Sequence, residues 1–289
     1  TAYEIYQCDW SSDVCSSDLF AGALLGLAGA VAQGLFRNPL ADPYLLGSSS
    51  GAALGVAIFL VLAGMAPAAA DWWVRLGMTG AAFTGASLAV VLTLTLSRGV
   101  QHTVRLLLGG VVVGVVLGAV SALVMLYSPD TMRAMQAFML GTTGFMGWRS
   151  VAVLAPVLGV TLLVALAASR SLDALSLGDA TARSLGVNLG LSRLWLVGAL
   201  ALATGAAVAQ SGLISFVGLA APHMVRGRVA GTHRVWLLLS ALAGGDLLLA
   251  ADVLARWLMS PQELPVGVIT AIVGGAYLLW RMHRQGGQA

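Results

Sequence analysis

Val104-Arg-Leu-Leu-Leu-Gly-Gly-Val-Val-Val-Gly-Val-Val-Leu-Gly-Ala-Val-Ser-Ala-Leu-Val-Met-Leu-Tyr127 decides the fold class. The run holds a single charge, Arg105, at its very start. As a helix rising about 1.5 Å per residue it spans roughly 36 Å, more than the ~30 Å hydrocarbon core of a bilayer. Val151–Ala168 and Val235–Trp257 are similar runs. The whole chain agrees with them. Apolar residues make up 58% of its 289 positions and charged residues 9%, against about 25% charged in a soluble domain. So little charge cannot wet a globule, and the excess apolar surface requires lipid. The expectation is an all-α, polytopic transmembrane helical bundle.

Polar, Pro and Gly breaks divide the chain into nine expected spans, near residues 19–36, 44–65, 73–97, 104–127, 149–169, 193–210, 214–228, 235–258 and 265–282. The permease-like body is therefore 19–284, with a polar connector at 170–193 and a short tail at 285–289. Residues 1–18 differ in character: they hold Glu4, Asp9, Asp13 and Asp18, four of the chain's twelve acids, and both cysteines, Cys8 and Cys15. This stretch is too polar to span and lacks the apolar core of a signal peptide. It reads as a non-native or disordered lead-in, with a native amphipathic segment as the alternative, and no disulfide is inferred. The arginine-bearing links 97–105, 169–193 and 226–234 and the tail 281–284 fall on one face when spans alternate. The positive-inside rule makes that face cytoplasmic. An odd span count with a cytoplasmic C-terminus puts residue 19 outside and points to one helix missing upstream.

All fifteen basic Lys/Arg positions are arginine. Without a lysine, a P-loop cannot grip nucleotide phosphates, so any ATP hydrolysis belongs to another polypeptide. His102, His223, His233 and His283 show no ligand spacing, and no nucleophile–base set stands out. A catalytic or metal site is not expected. Nor is nucleic acid, because the arginines are scattered between apolar runs rather than clustered.

Four segments carry the remaining information. Arg37-Asn-Pro-Leu-Ala-Asp-Pro43, followed by Tyr44-Leu-Leu-Gly-Ser-Ser-Ser-Gly51, stops one helix and starts the next. Pro39 and Pro43 break the chain, Asn38 and Asp42 accept from freed backbone N–H groups, and Gly47, Ser50 and Gly51 allow close approach. The connector contains Ser176-Leu-Gly-Asp-Ala-Thr-Ala-Arg-Ser-Leu-Gly-Val187. It reads as a short amphipathic helix with Leu177, Ala180, Ala182 and Leu185 on a small apolar face and Gly186 as its stop. Such a knob suits a partner's groove; a solvated loop is the alternative. In the span 235–258, Asp252 and Arg256 can pair at i,i+4, whereas Asp246 lacks a partner on its own helix and should face the interior or a cavity. Gly218-Leu-Ala-Ala-Pro-His223 and Glu263-Leu-Pro-Val-Gly267 complete the set. Gly29-Ala-Val-Ala-Gln33 also recurs as Ala206-Ala-Val-Ala-Gln210, five spans apart, in the manner of an inverted repeat with interrupted helices.

Taken in order, Arg37–Gly51, Leu177–Gly186, Phe216–His223 and Glu263–Gly267 resemble the FecCD-type permeases, transmembrane subunits of type II ABC importers for iron-siderophores, haem and vitamin B12. The resemblance runs from about Phe20 to Arg284. It implies a ten-helix fold in the bacterial inner membrane and a second permease subunit, most simply a homodimer. It also implies two cytoplasmic ATP-binding subunits that hold ATP and Mg, and a periplasmic or lipid-anchored substrate-binding protein. Asp179, Ala182, Arg183, Ser184, Leu185, Gly186 and Val187 would then form the helix that couples to the ATPase. Arg256 and Glu263 would meet the binding protein. The run with Gly109 and Gly110 would line the pathway, with Pro222, Asp246 and Asp252 as structural positions. No cofactor is implied for this chain itself. Its start departs from the family pattern, since the first family helix is absent. The implied action is alternating access at a subunit interface. An ion-coupled secondary transporter using Asp246 is the rival expectation.

Overall fold

A computed structural model describes residues 12–63, 72–97, 99–100, 103–144, 146–227, 231–258 and 264–286. Among them there are helices and turns and no strands. In chain order the helices are α1 (Ser12–Phe36), α2 (Ser48–Ala63), α3 (Trp72–Leu96), α4 (Thr103–Tyr127), α5 (Pro129–Leu140), α6 (Trp148–Ala167), α7 (Ser169–Ser176), α8 (Asp179–Ser184), α9 (Leu189–Ser211), α10 (Val217–Arg226), α11 (His233–Leu258) and α12 (Val266–Gly286). Six of these, α1, α3, α4, α6, α9 and α11, are long and apolar enough to cross a membrane. Two shorter apolar helices, α2 and the Val266–Trp280 part of α12, bring the set to eight.

The seventh expected span, 214–228, is corrected. Among the described residues there, only Val217–Arg226 is helical, and ten residues rise about 15 Å, half a bilayer core. The link 128–148 also contains a helix, α5, which Pro129 opens at its first position and Gly141 closes at a positive φ of 67°. At the other end, α1 begins at Ser12, inside the segment 1–18 that was set apart by composition. Ser17 and Asp18 in that segment are fully buried.

The first long helix is the hub. Every residue of α1 from Ala21 to Phe36 is buried, which explains why this stretch is apolar all round rather than striped. It packs against α11, α9, α10 and α6. Small residues make the approach close enough. A Cβ placed on Gly29 would stand 1.6 Å from the Gly218 carbonyl oxygen, and one on Gly22 would stand 2.3 Å from that of Gly244. Backbone contact of this kind is how helices pack in lipid, where no hydrophobic force drives them together. A second group, α2, α3 and α4, packs beside the hub through contacts of α9 with α3. The outward faces of α4 and α6 remain apolar and exposed: Val111, Val112, Val115 and Leu123 on one, Val153, Val160 and Leu163 on the other.

The two copies of the Ala-Val-Ala-Gln string end corresponding helices. After α1 the chain breaks at 37–47 before the 16-residue α2; after α9 it breaks at 212–216 before the ten-residue α10. The two breaks meet in the interior. The Tyr44 hydroxyl donates to the Ile214 carbonyl at 3.0 Å, and the Gln33 amide donates to the Leu219 carbonyl at 3.1 Å.

Candidate functional site

The expected turn after α1 forms as its residues dictate. Asn38 Oδ1 accepts from the Leu40 N–H at 3.0 Å. Asp42 caps a single 3-10 turn, Pro43–Leu46, by accepting from the Tyr44 N–H at 2.7 Å. Gly47 then takes the left-handed conformation, φ 80°, which ends the turn and releases α2. Gly110 of α4 fits against this turn, since a Cβ there would be 2.0 Å from the Leu45 carbonyl oxygen. Gly109 presses on Ser97 and Gly51 on the Gly85 backbone of α3. Ser50 faces Gly114 and Gly118. The α4 glycines therefore seat the broken turn.

The connector is two short helices, α7 and α8, joined at Gly178, φ 106°. In α7, Leu172, Ala174 and Leu175 are buried against the bundle. Helix α8 ends in a full Schellman motif. The Val187 N–H donates to the Ala182 carbonyl and the Gly186 N–H to the Arg183 carbonyl, both at 3.0 Å, with Gly186 at φ 79°. The expected single apolar face is split. Ala182 is fully buried and anchors the helix, whereas Leu177 and Leu185 are more than 60% exposed. Arg183, Ser184 and Gly186 are also exposed, and Val187 is half-buried. A six-residue helix is too short to sort its side chains to one side, so one alanine serves as the anchor and the leucines point outward.

Asp179 fixes this knob to the rest of the molecule. Its two carboxylate oxygens accept from Arg37 Nη2 at 3.1 Å and from Arg193 Nη2 at 2.8 Å. Arg37 belongs to the broken turn after α1, and Arg193 to α9, one turn past its start. The connector, the turn and a long helix thus meet at one carboxylate. Arg193 is 2% exposed, a position a guanidinium occupies only when paired. Partial burial works to raise the Asp179 carboxyl. The hydrogen bond from Arg193 and the charges of Arg193, Arg37 and Arg183 outweigh it and hold the group below the ordinary aspartate range. Beside this clamp, Asp173 of α7 accepts from the His233 backbone N–H at 2.9 Å, with the His233 ring Nδ1 2.6 Å away. That contact ties the connector to the start of α11. Arg193, Asp173 and His233 were not among the expected site residues. The readable signal was a guanidinium one turn inside an apolar span, which must find an acid.

At the opposite end of the bundle Asp252 and Arg256 pair as their i,i+4 spacing predicts, Nε to Oδ2 at 2.7 Å. The Thr143 hydroxyl donates to the other Asp252 oxygen at 2.6 Å. This fastens the α5–α6 link to α11. The Arg256 side chain is only 13% exposed. Glu263 lies outside the described residues. Pro222 sits buried inside α10, and its carbonyl accepts from the Trp236 indole at 3.1 Å.

Asp246 requires a correction. The interior or a cavity was expected for it, but it is exposed on α11. Gly244 and Leu248 turn toward the bundle and are buried, and a residue two positions from each lies on the far side of a helix with 3.6 residues per turn. Exposed Leu242 and Val253 flank Asp246 on that outer face.

A bundle of broken and continuous membrane helices, with a rigid knob clamped at its arginine-rich end, defines a membrane transport subunit. Comparison with known proteins names the group: residues 14–284 match the model of the FecCD transport family, and the chain belongs to that family. The hemin transport system permease protein HmuU of Yersinia pestis is 42% identical over 267 residues, covering 91% of this chain and 79% of that protein. The cobalamin import system permease protein BtuC of Halobacterium salinarum is 40% identical over 264 residues, 91% of this chain and 69% of that one. Among solved structures, a chain assigned to a metal-chelate type ABC transporter in an inward-facing conformation superposes with a TM-score of 0.83. It is 26% identical in sequence and covers 94% of this chain and 85% of its own.

Proposed function

We propose that this chain is the permease subunit of an ATP-driven, binding-protein-dependent importer for a metal chelate or tetrapyrrole of the haem, siderophore or cobalamin kind. It would work by alternating access in the cytoplasmic membrane, with a second permease subunit. ATP and Mg would sit on separate subunits, since this chain has no lysine for a P-loop. The observation that carries the reading is the outward-facing knob at Arg183–Gly186, clamped through Asp179 to the broken turn after α1 and to α9. A push on that knob moves two transmembrane elements together, which is what transmission of a partner's stroke requires. The exposed valine face of α4 suits a second copy across a shared pathway. The binding protein would dock at the end that carries Arg256.

The test is reconstitution with the partner ATPase and binding protein. Arg183→Glu and Gly186→Pro should each leave membrane insertion intact while separating ATP hydrolysis from uptake. Normal uptake by both variants would remove the coupling assignment. The ion-coupled alternative loses its structural support with Asp246, which sits on an outer apolar face. It lines neither the cleft at the end of α6 nor the apolar cleft between α10, α11 and α12.

A further inference from the structure

We infer that the cleft between the end of α6, α7 and the start of α11 is a binding site for an anionic phospholipid headgroup. The cleft encloses about 640 Å³ and is lined by Leu163 and Leu166 of α6, Arg170 and Asp173 of α7, and Thr232 and Arg234 at the α11 start. Its position follows from the chain. Helix α6 is a membrane span that ends at Ala167, so Leu163 and Leu166 occupy its last turn within the hydrocarbon and Arg170 the first polar turn beyond. An apolar wall thus gives way to a charged rim at the depth where phospholipid headgroups lie.

The charge balance of the rim selects the ligand. Its lining holds one acid, Asp173, and that carboxylate is already engaged by the His233 backbone N–H and ring. Arg170 and Arg234 are exposed and form no ion pair among the described residues. Two guanidiniums lining one cleft, with Thr232 in the same lining, offer fork-shaped donors to a phosphate diester. The acyl chains would lie along the exposed outer face of α6, past Leu163 and Val160. A free anion would gain the guanidiniums but not that apolar wall, so a lipid is the occupant the lining favours. Basic pockets between membrane helices on the arginine-rich side hold acidic lipids by this same combination. Through Asp173 and His233 the site touches the element that carries the α8 knob. A bound headgroup would therefore brace the base of the coupling connector.

The experiment uses the purified full chain in a neutral detergent. Phosphatidylglycerol and phosphatidylcholine of the same acyl chains, and inorganic phosphate, are titrated separately and read by thermal shift and by native mass spectrometry. Phosphatidylglycerol should stabilise the protein and be retained, while the other two should do neither at the same concentration. Arg170→Ala with Arg234→Ala should weaken retention about thirty-fold, at roughly one kcal/mol per arginine. Thr232→Glu, which removes no cation but adds a negative charge to the cleft, should weaken it comparably. Arg105→Ala, on the same face but outside the cleft, should leave it unchanged. Equal retention of phosphatidylcholine, equal stabilisation by inorganic phosphate, or unchanged phosphatidylglycerol retention in the cleft variants would each overturn the assignment. Protection of Arg170 and Arg234 by a protein partner instead of lipid would also overturn it.

Discussion

Replacing Asp179 with asparagine isolates the clamp on which force transmission depends. The substitution keeps the shape but removes the charge that two guanidiniums share and exchanges one of the two accepting oxygens for an NH2 that cannot accept. The two arms are unequal. Arg37 and Asp179 are both at least 31% exposed, so that pair contributes at most about 1 kcal/mol. Arg193 is buried, and a hydrogen bond to a charged group there is worth about 1.5–3 kcal/mol. Loss of the charge should therefore loosen α8 by about 2 kcal/mol, nearly all through Arg193. Opening of α8 would become about thirty-fold more frequent. Hydrogen exchange reads this directly, because the amides of Ala182, Leu185 and Val187 donate within the helix and its stop. Their exchange should accelerate by that factor in Asp179→Asn and by no more than about five-fold in Arg37→Ala. In the reconstituted importer Asp179→Asn should hydrolyse ATP with diminished uptake. The reasoning is refuted if exchange at these amides is unchanged. It is equally refuted if Asp179→Asn and Arg193→Met act additively, since two halves of one pair must couple by more than about 0.5 kcal/mol.

Five further outcomes are expected. Gly29→Ala should be strongly destabilising in a detergent melt, at or beyond the ~1–3 kcal/mol of overpacking, because the new methyl meets the Gly218 carbonyl. Gly159→Ala meets nothing within 4 Å and should be neutral or slightly stabilising. Tyr44→Phe strips the Ile214 carbonyl of its partner and should lower stability by about 1 kcal/mol, loosening the contact between the two helix breaks. Asp246→Leu should ease membrane insertion by about 2–3 kcal/mol and leave uptake intact; lost uptake would return the ion-coupled mechanism to consideration. The clamp should also show a one-sided pH response. A carboxyl held below its unfolded value contributes fully above that value and loses the contribution as pH falls through the folded one. Exchange at α8, corrected for intrinsic rates, should thus be flat from pH 8 to pH 5 and rise only below about pH 4. Loosening between pH 8 and 6 would contradict this.

Local chemistry made much of the site legible before any coordinates. Pro39, Pro43, Asp42 and Gly47 each impose a backbone requirement that neighbouring residues satisfy, so the turn could be read as a turn. Gly186 after a short helical pattern announced its stop for the same reason. The Asp252–Arg256 pair needed only the period of a helix. Asp246 was misread because the same period does not say which side of α11 meets the bundle. That side was chosen by Gly244 and its contact with Gly22, a partner more than two hundred positions away. The half-length α10 was misread as a span because hydropathy reports composition and not where the backbone turns. Phe216 begins that helix from a left-handed conformation, φ 68°, and no residue type announces it.

The amino-acid order alone determined the solvent, the fold class and the sites of the chain breaks, because hydropathy, proline and glycine act on the backbone where they stand. The three-dimensional packing alone decided which breaks meet, which face of each helix is hidden, and that one carboxylate joins Arg37 to Arg193. Those outcomes depend on backbone approaches between remote segments, and an approach distance is set by both partners at once. No single stretch of the chain carries that information.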